Sequence, residues 1–424
     1  MVGEETLSLK KNVWLWNHYA TSMSVNRGGR HYWFAENLQK EGYEPVIFCA
    51  NTFHSDREPI ALDGNKYRME VVGGIPFVYV KTTPYAGNGL DRLLNMGFFY
   101  KNLFSVAKAY VDKYGKPHVI LASSVHPLTM VAGIKVARKL NVPCICEVRD
   151  LWPESLVAYG SISPQNPLTK LLYKGERWIY KNADAVIMTW PGGRDYIVEQ
   201  GWDKEIDLDK IYHISNGVVV ESFDTNSMDY PVDDPDLTAT EYLNVVYAGS
   251  IRKVNNLGLL LDVAKIIRHK GHENIRFLIY GSGTEQEMLI QRCRDEEITN
   301  VIFKGRVDKM FIPSILKQAG VNILHNSSTS LDKYGQSQNK LFEYLAAGRC
   351  IVQTYTTGYS VLERYQCGIC VSKQDSEEIA NAVIKACTDS ELNKRMGANA
   401  RIAAMNYDFS GLTGDLISVI ESLK

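Results

Sequence analysis

Short apolar, strand-like runs alternate with helix-like segments almost from end to end of this chain. Strands joined through helices pair in parallel, and a parallel sheet must be covered by helices on both faces, so the pattern demands an α/β protein. A first series of strands is expected at residues 13–16, 45–50, 118–122, 144–148, 185–189 and 210–214. A polar, Pro- and Asp-rich segment, 224–241, reads as a linker or surface excursion. A second series follows at 243–248, 275–280, 301–304, 321–324 and 350–354, with helices at 256–270, 285–296 and 337–347. Two such series predict two Rossmann-like, doubly wound domains, which bind ligands beyond the carboxyl ends of their strands. The expected division is 1–217, 218–405 and a closing helix within 406–424, whose Leu412, Leu416, Ile417 and Ile420 have amphipathic spacing.

Length agrees, since 424 residues exceed one ordinary core at roughly 100 to 200 residues per domain. With 47 Lys and Arg against 48 Asp and Glu there is no global positive field to hold a polyanion, which argues against nucleic acid and makes any anion site local. The opening MVGEETLSLKKN has no apolar centre or small-residue cleavage site, and no apolar run approaches the ~20 residues of a membrane span, so a cytoplasmic location is expected. Eight cysteines, several inside apolar runs, read as reduced and buried. Cys367-Gly-Ile-Cys370 has metal-ligand spacing but stands without a second pair.

Four segments could carry chemistry. Gly28-Gly29 precedes a helix running to about Glu41, where backbone amides and the helix dipole favour an anion; a tight loop is the alternative. The dinucleotide pattern G-x-G-x-x-G is absent, which counts against a nicotinamide or flavin enzyme. In the second series, Gly249 ends a strand and Arg252-Lys253 precede the next helix, suited to neutralise a diphosphate or simply solvated. Gly281-Ser-Gly283 after an apolar strand suits close approach of a ligand to backbone. In YGQSQNKLFEYLAAGRCIV, Ser337 or Gln338 opens a helix on which Lys340 and Glu343 share a face. Lys340 can meet phosphate and Glu343 ribose hydroxyls, or the two form a surface ion pair.

The segments NRGG, SSVHPLT, EVRDLWPES, SNGV, YAGSI, YGSGTE, FKGRVD and NKLFEYLAAG, in that order from about Asn12 to Val352, resemble family 4 of the retaining glycosyltransferases. The resemblance is strongest to the branch that builds bacterial cell-surface polysaccharides. It implies a GT-B architecture, with two Rossmann-like domains facing across a cleft that closes on its substrates. A nucleotide diphosphate sugar, expected to be a UDP-sugar, would sit mostly in the second domain. The loop Gly305-Arg306-Val307 would hold the base, Glu343 the ribose, and Arg252 and Lys253 the diphosphate, with Gly28 and Gly29 near the phosphates. Gly249, Gly281, Gly283, Ser337, Asn339, Lys340 and Leu341 complete the donor set. His126 falls near the transferred sugar, and Asp150, followed by Glu154, near the acceptor, where Asp150 would orient or deprotonate the attacking hydroxyl. Two positions depart from the family: Gly335 stands where many members have a sugar-contacting Glu, for which the amides of residues 335–337 would substitute, and Ser250 where many have Arg.

Expelling a nucleotide diphosphate needs stabilisation of its developing charge, which Arg252, Lys253, Lys340 and helix N-termini would supply. No enzyme nucleophile, cofactor or metal is expected, and no Asp-x-Asp pair is placed to hold a metal between strand and sugar. Residues 89–114 mix Leu, Met, Phe and Tyr with Arg and Lys at helical spacing. Such a helix either faces the core or lies on a membrane, which would bring a peripheral association at the inner face of the membrane and a polyprenyl-diphosphate-linked acceptor. Two other classes stay open: a GT-B nucleotide-sugar epimerase, which needs no acceptor, and a non-catalytic sugar-nucleotide-binding protein.

Overall fold

The computed structural model describes residues 11–423 apart from Ser55, Asp56, Ala86, Asn88 and Val125. They form two compact units: one runs to Ile214 and takes in the last helix from Phe409, and the other is Ser215–Asp408.

The first unit has eight strands, β1 (Asn12–Trp16), β2 (Glu44–Ala50), β3 (Tyr67–Val72), β4 (Ile75–Val80), β5 (Val119–Ser123), β6 (Cys144–Val148), β7 (Ala185–Met188) and β8 (Ile211–His213). Their order is β3-β4-β2-β1-β5-β6-β7-β8. Strands such as VILAS and CICEV are buried at every residue, as a parallel sheet covered on both faces requires. Trp14 and Trp16 on β1 pack against Phe48 on β2, with ring centroids 4.9 and 5.7 Å apart.

The hairpin β3–β4 was not among the expected strands. It is the one antiparallel pair of this sheet among the described residues, and it turns through Gly73 and Gly74 at φ +57° and +83°, where two successive positive values select a tight hairpin. Helix Leu90–Tyr114 buries Met96, Phe99, Leu103, Val106 and Tyr110, while Leu90, Leu93, Leu94 and Phe98 stay exposed, so it has both a core face and an apolar outer face. The closing helix Phe409–Ser422 packs on helix Arg30–Lys40, with Phe409 4.7 Å from the Trp33 ring and 5.4 Å from Phe34.

The second unit has β9 (Leu243–Ala248), β10 (Ile275–Tyr280), β11 (Val301–Gly305), β12 (Val321–Leu324), β13 (Cys350–Gln353) and β14 (Gly368–Cys370), in the order β11-β10-β9-β12-β13-β14. All the pairings are parallel, and the order is that of a Rossmann sheet reversing direction between β9 and β12. Cys367 precedes and Cys370 ends the short edge strand β14, and all eight cysteines are free.

Segment 224–241 is not a linker. Helices Val220–Asp229 and Pro235–Thr238 run through it, and it is the surface excursion that the sequence left as the alternative, mostly exposed or half-exposed and anchored by Leu237 in the core. Asp234 and Pro235, read from sequence as a break, are instead the N-cap and first residue of a helix, where missing or spare backbone donors are tolerated.

Candidate functional site

In the second unit β9, β10 and β11 stay paired beyond their ends. Gly249 N donates to Tyr280 O at 2.9 Å, Ile251 N to Ser282 O at 2.9 Å and Gly281 N to Gly305 O at 2.7 Å. The chains approach so closely that a Cβ at Gly281 would stand 1.8 Å from Gly249 O, and one at Gly283 2.1 Å from Ile251 O. With φ at +147°, Gly281 occupies backbone space other residues rarely adopt. Since the obstacle is backbone, Gly281→Ala should destabilise the unit by about 2–3 kcal/mol, read as a lowered urea midpoint. An unchanged midpoint would show that these loops stand apart in solution.

Between β9 and β12 pairing stops after Val246 and Asn322. There the Tyr344 hydroxyl accepts from Ala248 N at 2.9 Å and donates to Ala248 O at 3.3 Å, so the strands part into a crevice at the reversal of strand order. Lys340 points toward the same strand end. Its Nζ lies 3.2 Å from His325 O, 3.4 Å from Tyr247 Oη and 4.9 Å from the centre of the Tyr247 ring. No carboxylate pairs with it among the described residues, and burial brings its pKa down to about 8. The i, i+3 ion pair left open by the sequence does not form, because Glu343 pairs with Lys309 at 3.4 Å.

The helix carrying these residues begins at Asn339, not Ser337. Ser337 lies before it and is buried, its Oγ accepting from Asn216 N at 2.8 Å and its carbonyl from Asn216 Nδ2 at 2.6 Å, so this side chain is taken by the scaffold. Leu341 is fully buried and Val307 packs against the same core, leaving both to act through their backbone. Among the described residues the amides of residues 336–340 donate no backbone hydrogen bond, whereas Leu341 just beyond donates to Gln338 O. Gly335 is different: its N–H donates to Asp332 O at 3.0 Å, which removes it from the amides expected to replace the missing Glu. Asn339, Arg252, Lys253 and Arg306 are exposed, and the side chains of the three cations enter no ion pair or hydrogen bond among the described residues. The nearby Asp234 and Asp236 are occupied by Lys304 at 2.8 and 2.7 Å.

Sequence reasoning missed His325. It stands at the end of β12, fully buried, with Nε2 2.9 Å from Asn256 O and Nδ1 2.6 Å from Thr354 Oγ1. A carbonyl can only accept, so Nε2 carries the proton, and burial lowers the pKa to about 4. His325 thus fastens the loop after Arg252 and Lys253 beside the carbonyl that holds Lys340. A histidine directly following the strand run VNIL was the available signal.

In the first unit Gly28 and Gly29 precede helix Arg30–Lys40, with Gly29 its N-cap at φ +118°. The helix opens on a buried ionic cluster that the sequence did not reveal. Glu147, at the end of β6, accepts from Arg30 Nε at 2.7 Å, His31 Nε2 at 2.8 Å and Ser123 Oγ at 2.6 Å. Burial works to raise its pKa, but Arg30, His31 and Arg149 outweigh that and hold the carboxyl well below its ordinary range. His126 follows β5 at the N-cap of helix Pro127–Leu140, with its Nε2 2.7 Å from Nδ1 of His18, the residue following Asn17 beyond β1. Both rings are buried, and the pair sits where the strand order of this sheet reverses. Asp150 is exposed, and Glu154 accepts a hydrogen bond from Tyr173. Among the described residues no three His, Cys, Asp or Glu side chains group to hold a metal ion, and no helix is long and apolar enough to cross a membrane.

Residues 29–208 match the glycosyl transferase 4-like domain and residues 233–403 match glycosyl transferases group 1. No curated protein sequence matches the chain. Solved structures resemble it over nearly their whole length. Sucrose-phosphate synthase from Thermosynechococcus elongatus shares 17% identity over 97% of this chain and 99% of its own, at a TM-score of 0.71. Anabaena HepE in complex with UDP shares 13% over 97% and 100%, at 0.67. WaaG, a glycosyltransferase involved in lipopolysaccharide biosynthesis, shares 11% over 96% and 99%, at 0.62. The chain therefore has the two Rossmann-like domains of the GT-B fold, and each of its units is similar to a glycosyltransferase domain family.

Proposed function

We propose that this chain is a retaining glycosyltransferase that moves a sugar from a UDP-sugar to a lipid-diphosphate-linked saccharide in cell-surface polysaccharide synthesis. The observation that carries the reading is Lys340, an ammonium without a counter-ion, set beside the free amides of residues 336–340 at the reversal of the second sheet. Such a place is built for an anion, and a diphosphate leaving group is one. The solved complexes of HepE with UDP and with UDP-glucose support the choice of nucleotide for a chain of this fold.

In this reading Arg252, Lys253 and Lys340 stabilise the departing diphosphate, Glu343 exchanges Lys309 for the ribose hydroxyls, and the backbone of Gly305, Arg306 and Val307 meets the base. Gly249, Gly281 and Gly283 let the backbone come close, and Gly28, Gly29 and His126 serve the donor from the first unit. Retention follows from attack on the face the diphosphate leaves, with the leaving phosphate taking the proton and Asp150 orienting the acceptor. No cofactor or metal enters. The exposed Leu90, Leu93, Leu94 and Phe98 would rest on the inner face of the membrane and admit a lipid-linked acceptor.

A thermal-shift screen of nucleotide sugars, followed by turnover of the best binder with lipid-linked saccharides, tests the proposal. UDP-sugars should raise the melting temperature, and Glu343→Ala should weaken that binding roughly 10- to 100-fold by removing a charged hydrogen-bond acceptor. A protein that no nucleotide sugar stabilises would end it.

A further inference from the structure

Arg149 is left over when the charges around Glu147 are matched, and the matching follows from hydrogen bonds alone. Tyr19 N donates to Asn17 Oδ1 at 3.0 Å, and because a backbone N–H can only donate, this oxygen is fixed as the acceptor. Asn17 Nδ2, 2.9 Å from His31 Nδ1, is therefore a donor and the ring nitrogen accepts. The one proton of the ring then sits on Nε2 and goes to Glu147 at 2.8 Å, so His31 is neutral. Glu147 also takes Arg30 Nε and Ser123 Oγ, and its charge is matched by that of Arg30. Arg149, two residues on at the same strand end, finds that carboxylate taken. Its guanidinium enters no ion pair or hydrogen bond among the described residues; the residue is half-buried, and its Nε is fully buried without a partner. Glu147 and Asp150, next in the chain, feel its charge without pairing with it. The backbone here is anchored on both sides. Arg149 N donates to Ser124 Oγ at 2.9 Å and Arg149 O accepts from Thr189 Oγ1 at 3.3 Å, which fixes the base of the side chain at the carboxyl ends of β5, β6 and β7. Half-burying an unpaired cation costs stability, and an arriving anion would offset that cost.

We propose that Arg149 is a substrate-binding residue, and that the anion it takes is the diphosphate of the lipid-linked acceptor. The identity of that anion rests on the proposed sugar transfer; the need for one rests on the unpaired guanidinium. A guanidinium presents parallel N–H donors that match phosphate oxygens two at a time, and bonds of this charged kind are the strong ones. Doubly wound sheets bind their ligands beyond the carboxyl ends of the strands, where Arg149 stands. The sequence shows Arg149 beside Asp150 in EVRDLWPES, but not that the neighbouring Glu147 is occupied by Arg30 and His31, residues far away in the chain.

The test titrates inorganic diphosphate into the full chain in excess UDP, so that the anion place beside Lys340 is filled, and follows binding by calorimetry. Wild type should bind it, and Arg149→Gln should bind it about 10- to 100-fold more weakly, the loss of a charged hydrogen-bonded pair. Arg149→Lys, which keeps the charge without the fork, should fall between the two. UDP itself should bind both variants as it binds wild type. Arg149→Gln should also melt no lower than wild type, since no partner is lost; a clear drop would make Arg149 a structural link and sink the proposal. In turnover, the KM for a lipid-diphosphate-linked saccharide should rise in Arg149→Gln with kcat little changed, while the same saccharide without its diphosphate is used equally by both proteins. Diphosphate that wild type fails to bind or that both proteins bind alike, or malonate that competes as well as diphosphate, overturns the assignment. Should diphosphate bind through Arg149 while no nucleotide sugar is turned over, the site stands and it is the reading as a transferase that fails.

Discussion

Lowering the pH from 7 to 5 should unfold the first unit well before the second. Three histidines in its interior, His18, His31 and His126, have pKa values pushed below the ordinary 6.5 chiefly by burial, His126 to about 3. The unfolded chain takes up a proton at each below about pH 6.5 while the folded unit refuses it, so stability is lost as pH falls, by about 1.4 kcal/mol per pH unit for each histidine. Three carboxyls oppose the trend, Asp150 and Asp415, both raised by desolvation, and most strongly Glu176. Buried Glu176, bonded by the hydroxyls of Tyr180 at 2.6 Å and Tyr196 at 2.8 Å, has a pKa raised by burial to about 8, so the folded unit holds a proton there that the unfolded chain has released. The histidines outweigh this, so the net loss of stability sets in below about pH 6.5 and grows by up to about 1.4 kcal/mol per pH unit for each histidine the fold keeps neutral. Against a total of about 5–15 kcal/mol for a typical domain, two pH units remove a large share. Below about 4.5 the loss continues as Glu147, whose carboxylate is stabilised by Arg30, is protonated. The second unit contains one such histidine, His325, and should hold longer. Urea titrations at pH 7, 6 and 5, followed by a probe in each unit, would show this; a first-unit midpoint flat down to pH 5 would refute it.

Lys340→Met should lower kcat/KM for the donor by about 100- to 1,000-fold, the usual loss when a preorganised electrostatic group at a developing charge is removed. The direction on stability is the opposite. The folded ammonium is held below its ordinary 10.5 by burial alone, so the native state bears a desolvation cost at neutral pH that Met would not. The unliganded variant should therefore melt higher than wild type at pH 7. As pH rises from about 8 toward 10.5 the folded lysine sheds its proton before the unfolded one does, wild type gains stability, and the gap closes. A variant both inactive and less stable at pH 7 would mean that Lys340 is a structural link rather than a waiting cation.

Much of the fold was legible because its strands are buried on both faces and so read as unbroken apolar runs between helices. The hairpin β3–β4 escaped because Tyr67–Val72 is an edge strand with a half-exposed, mixed composition, followed directly by another strand instead of a helix. Segment 224–241 was legible as a surface excursion but not as a helical one, because Asp and Pro signal both breaks and helix starts, and the buried Leu237 is what anchors it. At the candidate site the sequence gives residue types but not partners. Lys340 and Glu343 are three positions apart, yet each finds its neighbour elsewhere, at Tyr247 and at Lys309. The cluster around Glu147 joins residues 116 and 117 positions apart, and His18 meets His126 across 108, separations at which no local pattern exists to read.

The last helix returning to the first unit makes the second unit an insertion. Its two ends are neighbours: Val218 N donates to Tyr407 O at 3.0 Å and Val220 N to Asp408 at 2.8 Å. A polypeptide of residues 215–408 is thus an excisable module with adjoining termini, fit for expression by itself or for transplantation into another loop. The host cannot be obtained by truncation. Stopping at Ile214 strips Phe409 from Trp33 and Phe34, so a faithful first half needs a short splice from Ile214 to Phe409, made of the two stretches that chain order keeps almost two hundred residues apart.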